Sequence, residues 1–71
     1  MERDIDLVAL DEAMNKLALQ DARKAKVVEQ RFFAGIEMSQ IAENLGVSLS
    51  TVKRDWEYAR TWLMREIDRG G

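Results

Sequence analysis

The chain has 71 residues, with 11 Lys and Arg against 13 Asp and Glu, a net charge of −2, a pI near 5.0, and no cysteine, histidine or proline. That length holds one small hydrophobic core and excludes a large cavity; without Cys and His there are no thiolate nucleophiles, disulfides, imidazole bases or usual zinc sets, so no enzyme, metal or cofactor is expected. The acidic balance argues against a free-standing basic nucleic-acid binder and confines any cationic patch to a local surface; short apolar runs and the start "MERDIDLVAL" exclude a membrane span and a secretory signal, which points to the cytoplasm.

The glycines, Gly35, Gly46, Gly70 and Gly71, fall outside the periodic segments. The expectation is therefore one all-α, four-helix domain over residues 1–71 with two punctuated joints. A first helix over 5–19 places Leu7, Leu10, Met14 and Leu17 on one stripe, with Asp11, Glu12 and Lys16 on the polar side. A second, over 22–34, is capped by Asp21, carries Ala25, Val28 and Phe32 inward, and stops at Gly35 in the left-handed conformation. A short third helix, 38–45, turns Met38, Ile41, Ala42 and Leu45 inward and ends at Gly46. A long fourth helix, 49–69, starts at the Ser48 cap and buries Val52, Trp56, Ala59, Leu63 and Ile67. No strand-like alternation competes with these patterns.

The third and fourth helices, joined at a glycine, form a helix-turn-helix pattern. Small Ala42 sits where the two helices cross, Gly46 takes the positive φ that reverses the chain, and Val47 and Val52 fill the space between the helices. Any one of these features occurs in ordinary bundles; the joint spacing, Ala42 to Gly46 to Val52 at four and then six residues, is what marks the motif. At about 100° per residue, burial of Val52, Trp56, Ala59 and Leu63 leaves Ser50, Arg54, Glu57 and Thr61 outward, flanked by Thr51 and Lys53. A helix entering the major groove needs such a face: Arg for guanine edges or phosphate, Ser and Thr for adaptable contacts, Glu for a cytosine amine. From charge alone "KRDWE" is an ordinary solvated face; the motif context favours recognition, with Asp55 and Glu57 as the first local offset to the cations. Ser39 and Gln40 in the first turn of the third helix, and Arg31 at the end of the second, are candidate backbone contacts. Tyr58 and Trp62 lie beside the buried stripe and either cover the first helix or face a protein partner.

The stretch "LDEAMNKLALQDARKAKVVEQRFFAGIEMSQIAENLGVSLSTVKRDWEYARTWLMREI" resembles the C-terminal region 4 domain of bacterial extracytoplasmic-function (ECF) sigma factors, most specifically in "RFFAG" and "TVKRDW". The resemblance implies that the helix running from Ser48 to Arg60 reads the −35 element of a promoter, with Ser50, Thr51, Lys53, Arg54 and Glu57 at the DNA; Ser48, at the helix cap, is a further candidate DNA contact. It also implies docking on the β flap of RNA polymerase and a possible anti-sigma partner. The chain departs from the family in having Ala22 where proline is common and Glu37 where Ser or Thr caps the third helix. The N-terminal region 2 domain is not in this sequence, so the expectation is an excised fragment, monomeric or weakly dimeric, that binds DNA weakly and gains affinity from polymerase. Two other readings remain open at this stage. One is a response-regulator-type (LuxR-like) output domain, which dimerises through its last helix. The other is an interaction module that binds polymerase or an anti-sigma factor and never touches DNA.

Overall fold

A computed structural model describes residues 7–70, helical except at Asp21 and in the joints at residues 34–37 and 46–48, with no strand among them. In chain order these are α1 (Leu7–Gln20), α2 (Ala22–Val28) with a π-helical continuation (Glu29–Phe33), α3 (Met38–Leu45) and α4 (Leu49–Gly70). The expected start of α1 at residues 5 and 6 lies outside the described residues. Its other end extends one residue past expectation, to Gln20.

Asp21 is both the stop of α1 and the start of α2. Its N–H donates to the Leu17 carbonyl (2.7 Å), while its carboxylate accepts from the Lys24 N–H (3.2 Å). The cap thus starts α2 without the proline that the family favours at position 22.

The second helix departs from expectation after Val28. The Ala34 N–H reaches back five residues to the Glu29 carbonyl (3.1 Å), and the Ile36 N–H reaches the Gln30 carbonyl (2.9 Å). The extra residue in this wide turn shifts the register that began at Ala25 and Val28. Phe32, expected on the buried stripe, is half-exposed, and so is Phe33, which meets it edge to face with ring centres 5.1 Å apart. Gly35 then reverses the chain at φ 70°. Val27, which the stripe omitted, is fully buried.

The core falls into two clusters. Ala13 and Leu17 of α1, Ala25 and Val28 of α2, and Ala59 and Leu63 of α4 form the larger, with Met14, Trp62 and Ile67 packed at its edge. Val27, Ile41, Ala42 and Val52 form the smaller, edged by Ile36, Met38, Leu45 and Val47. Trp56 packs against both and joins them. Leu7 is exposed, contrary to its place in the predicted stripe, because the buried contacts of α1 run only from Leu10 to Leu17, a turn further on.

Candidate nucleic-acid interface

The turn between α3 and α4 is fixed by backbone stereochemistry. Gly46 stands at φ 69°, ψ 34°. Its N–H donates to the Glu43 carbonyl (3.2 Å), and the Val47 N–H donates to the Ala42 carbonyl (3.0 Å), the two-bond pattern of a Schellman stop. Val47 then packs back onto the smaller cluster, the hydrophobic contact that accompanies this stop. Glu37, as its poor capping chemistry suggested, makes no side-chain bond at the start of α3. Ser48 does cap α4: its Oγ accepts from the Thr51 N–H (3.1 Å), lies 2.9 Å from the Thr51 hydroxyl and 3.2 Å from the Ser50 hydroxyl. Three hydroxyls therefore cluster on the first turn of a helix whose N-terminal end carries positive dipole charge.

Ser50, Lys53, Arg54, Glu57 and Thr61 are exposed and Thr51 is half-buried, the outward face read from the helical wheel. Among the described residues, neither Lys53 nor Arg54 pairs with a carboxylate. Glu57 is engaged by Arg60, which donates to it at 3.1 Å. Ser39 and Gln40 are exposed on the first turn of α3. Gln40 donates to Asn44 (3.1 Å), which in turn donates to Gln30 (2.9 Å), an amide chain that ties α3 to the π-turn. Arg31 is exposed on that turn, with its Nη1 3.4 Å from the Ile36 carbonyl. Ser39, Gln40 and Arg31 sit on or beside α3, while Ser48, Ser50, Thr51, Lys53, Arg54 and Glu57 run along the first turns of α4.

Asp55 corrects the reading of local charge. Expected on the surface as an offset to Lys53 and Arg54, it is 3% exposed. Arg23 donates to it through Nε (2.6 Å) and Nη2 (3.3 Å), and the Lys24 ammonium lies 3.6 Å from its second oxygen. Its spacing held the signal: Asp55 lies three residues after Val52 and four before Ala59, so it belongs to the inward stripe. The outward face thus meets no carboxylate until Glu57.

The ionic network around Asp55 reaches back to the α2 cap. Lys24 donates through Nζ to Asp21 (2.8 Å) and lies 5.1 Å from the Tyr58 ring centre. Hydrogen bonding from Lys24 holds the Asp21 carboxyl below its ordinary range, and the same bond raises Lys24. The bond to Asp55 raises Arg23 further. Across the domain, Lys16 donates to Glu66 (2.6 Å), tying α1 to α4 and lowering the Glu66 carboxyl. Trp62 packs on the larger cluster, while Tyr58 stays about half-exposed, so the two aromatics divide between core and surface.

No helix among the described residues is long and apolar enough to cross a membrane. Neither a curated protein nor a solved structure matches the chain. The family model for ECF sigma factors matches residues 1–69, and the four-helix arrangement is consistent with region 4 of such a factor. The chain therefore belongs to the ECF sigma factor family, transcription initiation factors that act with RNA polymerase on promoter DNA.

Proposed function

We propose that the chain reads the −35 element of a promoter through the first turns of α4, with α3, the Gly46 turn and α4 serving as a DNA-binding helix-turn-helix. The observation that carries this reading is the pair of exposed, unpaired cations, Lys53 and Arg54, beside the hydroxyls of Ser50 and Thr51 on a capped helix. Arg54 supplies a planar fork suited to a guanine edge; Lys53 and the hydroxyls suit phosphate and adaptable base contacts. Ser39, Gln40 and Arg31 flank this surface as backbone contacts that set register without reading sequence. The exposed apolar groups Phe32, Phe33 and Tyr58, the last lining a surface hollow with Arg54 and Glu57, are candidate contacts for the polymerase β flap or an anti-sigma protein. With a net charge of −2, the domain relies on polymerase to raise its effective concentration at DNA and works in the cytoplasm.

The test is transcription by polymerase holoenzyme carrying Arg54→Ala. Promoter-dependent initiation falls about fivefold or more, the worth of one good base contact, while far-UV circular dichroism keeps its helical signal. Lys53→Ala instead weakens binding on all sequences alike and reduces the salt slope by about one. Unchanged initiation from the Arg54 variant would refute the reading.

A further inference from the structure

We propose that Asp55 is a positioning residue for promoter reading: clasped by Arg23 and Lys24 of α2, its carboxylate fixes the rotation of α4 about its own axis and so sets the direction in which Ser50, Lys53 and Arg54 leave the domain. The inference rests on the reading of that face as the one that contacts the promoter.

Asp55 is the buried charged residue among the described residues, and it follows directly after exposed Arg54, about 100° further round the helix. A carboxylate in such a place costs desolvation unless it is paired, and no buried side-chain polar atom among the described residues lacks a partner. Over the first three turns of α4 the fully buried apolar groups are Val52 and Ala59, both compact, with the partly buried Trp56 packed between the two clusters, and hydrophobic contact has no preferred direction. The Arg23 fork is directional, because two N–H groups at 2.6 and 3.3 Å must meet two oxygens at once.

The α2 side of the clasp is itself held. Asp21 caps α2 and binds the Lys24 ammonium, and Val27 and Val28 anchor the same helix in both clusters. The precision at stake can be gauged from helix dimensions. At an outer radius of about 5–6 Å, a rotation of roughly 20° carries a surface group about 2 Å. Hydrogen bonds to base edges span a window of about 0.5 Å, so such a rotation breaks them. Phosphate contacts tolerate it better, since a cation needs proximity more than direction. The clasp therefore governs discrimination between sequences more than total affinity.

Two variants separate this role from plain stabilisation. Asp55→Asn keeps the shape and removes the charge; Arg23→Lys keeps the charge and removes the fork. Each is measured in polymerase holoenzyme on matched templates carrying the promoter or a scrambled −35 segment, over a series of salt concentrations, with helical content followed by far-UV circular dichroism. Each variant is expected to reduce the preference for the promoter at least about fivefold, the lower end of what one good base contact is worth. The salt slope on the scrambled template stays unchanged, and the double variant loses no more than the larger single one, because both remove the same contact.

A preference within about twofold of the parent, or an equal loss on both templates, overturns the proposal. Should Asp55→Asn fail to fold, Arg23→Lys decides, since the Arg23 side chain is 45% exposed and its replacement opens no cavity. Arg54→Ala distinguishes the two levels: loss of preference there, with none in the clasp variants, sinks the positioning role alone. No loss with Arg54→Ala sinks the promoter reading and this inference with it.

Discussion

The two halves of this domain are held by different physics. The larger cluster gathers Ala13, Leu17, Ala25, Val28, Ala59 and Leu63 from three helices, with Lys16–Glu66 bridging α1 and α4 at its edge. The smaller joins Val27, Ile41, Ala42 and Val52 around the turn at Gly46. In the first, geometry comes from burying whole helical stripes, each tolerant of small shifts. In the second, few side chains are buried; a positive-φ glycine and two cap bonds define how α4 leaves α3, and one buried carboxylate ties α4 to α2. The exposed face of α4 is thus built where directional bonds, rather than apolar area, set the angles.

The largest expected effect breaks the supporting half. Leu17→Ala empties a fully buried site between α1 and its neighbours, costing about 2–5 kcal/mol. That is a large part of the stability of about 5 kcal/mol expected of so small a domain, and chemical denaturation followed by circular dichroism measures it. An intermediate effect sharpens the contrast between two turns. Gly35 and Gly46 have φ of 70° and 69°, and an added Cβ meets nothing within 4 Å at either. Alanine at each site costs about 1 kcal/mol from backbone strain alone, yet only Gly46→Ala lowers promoter-dependent initiation, because only that turn sets the angle of α4.

The smallest effect concerns pH. The carboxyls of Asp21 and Glu66 are lowered by Lys24 and Lys16, so each stabilises the fold above its unfolded value of about 3.9 to 4.3. That stability is lost as pH falls through the lower folded values. Lys24 is raised, so its contribution is complete below about 10.4 and is lost as pH rises through its higher folded value. Because the chain has no histidine, no imidazole adds a step between these wings. Thermal melts should show modest, opposite losses at the acid and alkaline extremes.

Much of this was legible from residue order. The α3 limits match those expected, and α4 matches at its start and runs one residue further, because Ser48, Gly46 and the apolar stripe are local signals that tertiary packing did not override. The outward set of Ser50, Lys53, Arg54, Glu57 and Thr61 follows from periodicity alone. The π-turn was not legible: "EQRFF" satisfies an α pattern, and the wider register shows only in the Ala34 to Glu29 bond. Phe32 was misplaced for that reason. Asp55 was misjudged for another: charge argued for the surface, while spacing put it on the buried stripe, and its cationic partners lie 32 residues away or nearly so, in α2.

The most direct test titrates a duplex carrying the −35 segment into isotopically labelled chain and follows the backbone amides by NMR, which tolerates weak binding. Shifts are expected to concentrate on Ser48 to Glu57, with smaller ones at Ser39 and Gln40, and to shrink as salt is raised. Shifts gathered instead on α1 and the last turns of α4, leaving Ser50 to Arg54 unmoved, would contradict the assignment of that face to DNA.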